Sequence, residues 1–269
     1  MDHRDRAVTD LQYPKEEVAE KNTRIYEAVL RDSWGMQEGN FNVISTADLE
    51  RLFELYDGLF FSGRIHRMLR ERGAGLSFRL SKRMTRAGGK TTLRKEKRRK
   101  RAQRGQRKHR ELYEIAVSIP LLFQNFVDGK AVKVSGIECR DRLEALQRVF
   151  EHELVHLIEM LVWRDSSCSK PRFKQLSRNL FGHMDAKHEL VRPHERAQED
   201  YDIRVGDRVS FSYKGKRHVG VVNRVTKRAT VLVSSRKGLR YSDGKRYAKY
   251  YVPLTVLEKV GDTSEHLER

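Results

Sequence analysis

Cysteine is nearly absent from this chain: 269 residues hold two, Cys139 and Cys168. That excludes a disulfide-built secreted scaffold, which needs several pairs to stand in for a core. The expected location is cytoplasmic, on the nucleoid in a bacterium, with both thiols reduced. Long apolar runs are missing too. The longest lies within Leu154–Trp163 and is broken by His156 and Glu159. A bilayer needs about 20 apolar residues in a row, so no membrane partner is expected. The N-terminal stretch MDHRDRAVTDLQ lacks the apolar core of a signal peptide. Negative charge is in short supply as well. Against 56 Lys and Arg stand 37 Asp and Glu, a net +19. Such a chain is drawn to polyanions, and DNA is the expected partner.

What is present is enough for a core, with 38% hydrophobic residues. Residues 1–45 read as a partly helical leader, with one helix over Lys15–Arg31. From Thr46 the apolar residues fall at helical spacing as far as Phe60, and Ser62-Gly63 stops that helix. LSFRLSKRM alternates and reads as a strand, with RAGGKTT as a tight turn into a second strand. LYEIAVSIP reads as another strand, closed by Pro120, and KAVKVSG as a short extra one. A long helix follows to Trp163. Asp141 is its N-cap and Glu144 stands at the capping-box spacing. RDSSCSK is a loop, and Pro171 opens another helix running to about His183. Residues 186–200 read as a linker. The period then changes to short alternating strands, which predicts an SH3-like β-barrel over 201–262 and a tail over 263–269.

The long helix carries His152-Glu153-Leu154-Val155-His156. On a helix, positions four apart project from one side, so both histidines can address one ion. Glu153, one residue round, can take a proton from water beside that ion without ligating it. This is the H-E-x-x-H arrangement of zinc peptidases, with Zn2+ as the cofactor and Glu153 as the base.

Together LFELYDGLFFSGRI, RMTRAGG, a strand ending in SIP, HELVH and PRFKQLSRNLFGH resemble the SprT-like zinc metalloproteases, in order and spacing, over about residues 46–185. The resemblance implies a Spartan- or Wss-type hydrolase that cuts proteins crosslinked to or held on DNA. It implies an α+β, zincin-like metalloprotease domain with a small antiparallel sheet around the H-E-x-x-H helix. The family places a third histidine ligand in a His-Gly-x-x-Phe pattern. Here that register reads Ser169-Lys170-Pro171-Arg172-Phe173, and the histidine is gone.

Three residues can replace it. Cys168 is the preferred ligand, because thiolate binds zinc well and the loop needs to shift by only one residue. His183 and Glu159 remain alternatives, with Glu159 better suited to orienting a ligand histidine. A His2Cys set carries more negative charge than three histidines and makes a weaker Lewis acid, so slow hydrolysis or activation by a partner is expected.

Residues 93–110 form a basic insertion: Arg94, Lys95, Lys97, Arg98, Arg99, Lys100, Arg101, Arg104, Arg107, Lys108 and Arg110. They are the expected nucleic-acid contacts, acting on phosphates rather than on base edges. The strand near Arg83–Thr92 is expected to border the cleft, with Gly88 and Gly89 letting a substrate backbone approach. The rival reading is a non-catalytic nucleic-acid-binding protein with a structural or degenerate zinc site. Substrate identity and oligomeric state stay open.

Overall fold

The computed structural model describes residues 8–97, 109–126, 131–185, 190, 198, 201–226 and 228–260. The chain divides into two compact units, Met1–Leu190 and Val191–Arg269. The chain as a whole is α+β: the first unit mixes helices with small sheets, and the second is built on one larger antiparallel sheet.

The first unit opens with helix α1 (Lys15–Asp32). Its Ile25 and Val29, and Met36 and Phe41 after it, are buried in the same core as the later elements. Residues 15–45 are therefore part of the unit and not a leader before it. The reason is the apolar stripe of α1, which needs a partner to cover it. Helix α2 (Thr46–Phe61) starts with a capping box between Ser45 and Asp48. It stops where Ser62 and Gly63 both turn left-handed, at φ 53° and 73°. A helix follows at once, α3 (Arg64–Glu71), which the polar sequence had hidden. Asp57 of α2 accepts the first N–H groups of α3, from Ile65 at 2.9 Å and His66 at 3.0 Å. That carboxylate fixes the corner by satisfying donors a helix start leaves free.

Three strands follow: β1 (Gly75–Ser81), β2 (Gly89–Lys97) and β3 (His109–Ser118). Their order is β1-β3-β2, with β1 parallel and β2 antiparallel to β3. The sheet is thus mixed, where an antiparallel one was expected, and RAGGKTT joins no hairpin. Burial explains the order. Tyr113, Ile115, Ala116 and Val117 of β3 are almost wholly buried, so β3 takes the centre. Pro120 does close the strand, and it also opens α4 (Ile119–Gln124), capped by Ser118. The hairpin β4 (Val132–Val134) and β5 (Ile137–Cys139) precedes α5 (Arg142–Trp163). Helix α5 is buried on most sides, and α6 (Pro171–Phe181) ends at left-handed Gly182. Tyr56 stacks on Phe60 and Phe150 at the centre, and Phe181 meets Tyr56 edge-on and Phe60 at a tilt.

The second unit is a five-stranded sheet in the order β10-β6-β7-β8-β9. Its strands are β6 (Arg208–Tyr213), β7 (Lys216–Val225), β8 (Arg228–Arg240), β9 (Arg246–Pro253) and β10 (Glu258–Lys259). Among the described residues the edge strands β10 and β9 do not pair, so the expected barrel is not closed. The sheet is nevertheless strongly curled. Phe211 on β6 and Tyr250 on β9 hold ring centroids 5.3 Å apart. A flat sheet would separate strands three places apart by about 14 Å. No helix among the described residues is long and apolar enough to cross a membrane.

Candidate metal centre

The cap of α5 forms as its sequence predicts, with the Asp141 carboxylate accepting the Glu144 N–H at 2.9 Å. The second half of the box differs: Glu144 turns back to the Arg140 backbone N–H at 2.7 Å. From this start the helix runs unbroken through the histidines.

His152 and His156 stand one turn apart with Nε2 atoms separated by 3.2 Å. Helix α5 ends at Arg164, left-handed at φ 60°, which folds the following loop back over it. That loop carries Cys168 to the histidines. The three donor atoms lie within 4.8 Å of one another, in the one such His/Cys/Asp/Glu group among the described residues. Tetrahedral zinc with bonds of about 2.0–2.3 Å holds neighbouring ligand atoms about 3.3–3.8 Å apart, so small adjustments suffice. Phe173 of α6 lies against both imidazoles, centroids 4.8 and 4.5 Å away, and shields them from one side.

The loop is organised around Glu159, which is fully buried. Arg172 Nε donates to its Oε1 at 2.7 Å, and the Ser167 N–H to its Oε2 at 3.3 Å. The Ser166 hydroxyl donates to Oε2 at 2.6 Å. Ser166 Oγ also lies 2.6 Å from His156 Nδ1. The hydroxyl has one proton, and the carboxylate takes it. Ser166 therefore accepts from the imidazole, which places the ring proton on Nδ1. The Nε2 lone pair of His156 is left facing His152 and Cys168. Burial lowers the His156 pKa, against the opposing pull of Glu159, and favours the neutral form that can ligate.

Glu153 is 3% exposed. Its carboxylate accepts the Thr91 hydroxyl of β2 at 2.7 Å. Burial pushes its pKa up to about 7, with the Thr91 bonds holding it back. A Cβ added to Gly89 would stand 2.6 Å from Glu153 Oε1. The close approach expected of this glycine is thus to the carboxylate itself. Gly88 serves the sheet, its carbonyl accepting the Ser118 N–H at 2.8 Å.

The alternative third ligands are placed elsewhere. His183 is buried with Nε2 2.7 Å from Glu151 Oε2, and it is not in the cluster. Glu159 braces the loop as described. Of the basic residues, Arg94 is exposed and pairs with Glu114 at 3.3 Å, and Lys95 is exposed on the same strand. Lys97 ends β2, opposite His109, and Arg110 lies in β3, opposite Glu96, on two antiparallel strands. Arg98, Arg99, Lys100, Arg101, Arg104, Arg107 and Lys108 lie outside the described residues. Sequence reasoning passed over Ser166, Thr91 and Arg172. Only the serine-rich loop beside a candidate ligand hinted at the first.

Comparison with family models, with curated proteins and with solved structures finds no match to this chain.

Proposed function

We propose that the first unit is a zincin-like, SprT-like zinc metalloendopeptidase that hydrolyses proteins on or crosslinked to DNA. The observation that carries the reading is the convergence of His152, His156 and Cys168 within 4.8 Å. Those residues would hold Zn2+, which supplies a Lewis acid able to make a water acidic near neutral pH. The chain's own work is then positional and protic. Ser166 and Glu159 hold His156 in the ligating tautomer. Glu153, with a pKa near the operating pH, takes the water's proton and can return it to the leaving amine. The free edge of β2 offers main-chain groups to an extended substrate. The basic arms β2 and β3 support DNA as the tether. The curled sheet, with its last short strand returned to the first after a 3-10 turn, supports an SH3-like second unit.

Two measurements test this. Elemental analysis after dialysis should find about one zinc per wild-type chain and a clear loss in Cys168→Ala. A protein crosslinked to DNA should be cut by the zinc-loaded wild type and not by Glu153→Gln, which should still bind zinc and DNA. No zinc in a folded wild type, or equal cleavage by Glu153→Gln, sinks the reading. Zinc bound without cleavage would favour a non-catalytic nucleic-acid-binding protein.

A further inference from the structure

The first unit holds a second concave site, made of residues that the metal centre does not use. It is a cleft of about 1200 Å³ between α1, the β4–β5 hairpin, the first turns of α5 and the end of α6. Val18, Ile137, Phe181 and Met184 give it apolar walls. Asn22, Gln147 and Arg148 also line it, and all three are at least nine-tenths buried.

These groups carry unused hydrogen-bonding capacity. The Tyr56 hydroxyl, with one proton to give, lies 2.9 Å from both Asn22 Oδ1 and Glu151 Oε1, and the buried Asn22 Nδ2 has no partner among the described residues. An unpaired buried amide is costly and its site is completed by an acceptor. Arg148 makes one ion pair, NH1 to Glu151 Oε2 at 3.0 Å. A guanidinium has five donors, so one pair leaves a fork to spare. Lys15, Lys133 and Arg178 stand at the rim and lack ion-pair partners among the described residues. Glu27 and Glu138 stand there too.

We propose that this cleft binds a small amphipathic carboxylate, its head on Arg148 and Asn22 and its apolar chain along Val18, Ile137 and Phe181. A planar two-oxygen head matches a guanidinium fork beside an amide N–H. Apolar walls with a few convergent polar groups are the usual make-up of a small-molecule site. The proposal stands independently of the metallopeptidase reading.

The test is calorimetric titration of the full chain with octanoate. Saturable one-to-one binding is expected, with 1-octanol and acetate each weaker by about tenfold or more, the worth of the charged head and of the chain. Arg148→Gln should weaken octanoate about tenfold. Arg148 also faces buried Glu151, so its loss can unfold the protein. Ala19→Trp, which fills the mouth from an exposed lining position, decides the matter in that case and should abolish binding. The proposal is overturned by an absence of saturable heat. It is equally overturned by octanol binding as tightly as octanoate, or by a folded Ala19→Trp that binds like the wild type.

Discussion

The Thr91 hydroxyl donates its one proton to two oxygens of Glu153, the carboxylate at 2.7 Å and the main-chain carbonyl at 3.0 Å. The edge strand β2 is thereby fastened to helix α5 at the residue after the first histidine. Each face of that junction can be disturbed separately.

The carboxyl of Glu153 makes the metal-free protein sensitive to pH in a defined direction. Its folded pKa is about 7 against an ordinary 4.5. Between those values the folded chain holds a proton that the unfolded chain has lost, so stability falls as pH rises through the window. The full effect is about 3 kcal/mol at most. In chelator, Glu153→Gln should match the wild type at pH 4.5 and exceed it at pH 8, as read by urea unfolding. A difference that does not change with pH would contradict this.

Gly89→Ala puts a methyl where Glu153 stands, 2.5 Å from its Cγ. All three nearest atoms to that methyl belong to the Glu153 side chain, which must move. Cleavage should drop by about tenfold or more, since misplacement of about 1 Å can cost that much. Zinc content should stay at the wild-type level. Loss of zinc together with activity would place the damage in the metal centre instead.

Ser166→Ala cuts the connection between Glu159 and His156 while leaving the Arg172–Glu159 pair at 2.7 Å intact. Outer partners of ligand histidines are worth about 10- to 100-fold in metal affinity. Competition with a chromogenic chelator should show a loss in that range. Unchanged affinity would mean that the hydroxyl does no orienting.

The two thiols should behave differently. Cys139 is fully buried, and burial pushes its pKa up to about 12. Cys168 is half-buried in the loop. Maleimide should label Cys168 alone in the native metal-free chain, and Cys139 only after denaturation, as followed by mass spectrometry. Bound zinc should protect Cys168; labelling at an equal rate with zinc present would remove it from the ligand set.

The long helix was legible in the sequence because its signals are local: a cap at Asp141 and an apolar period held through Leu161. Cys168 could be singled out by donor chemistry alone. The sheet order could not be read, because β1 meets β3 across a long stretch of chain and RAGGKTT looks like any turn. Helix α3 was missed since RIHRMLRE has only Ile65, Met68 and Leu69 to bury. The place of α1 in the core depended on surfaces presented by α2 and α5. Ser166 was invisible for another reason: three serines flank Cys168, and only the folded loop decides which one reaches His156.

Strand β2 also sets a length. From Thr91, at Glu153, to Lys97, where the described part of β2 ends, are six residue steps. At about 3.3 Å each they span about 20 Å. One body confined within about 20 Å of Thr91 is present there at about 50 mM effective concentration. On the proposed function, a polypeptide fastened to nucleic acid held by the basic arms would meet Glu153 at that concentration however dilute it is in solution. A free polypeptide would not, so under that proposal discrimination between attached and unattached proteins would need no recognition of their sequence.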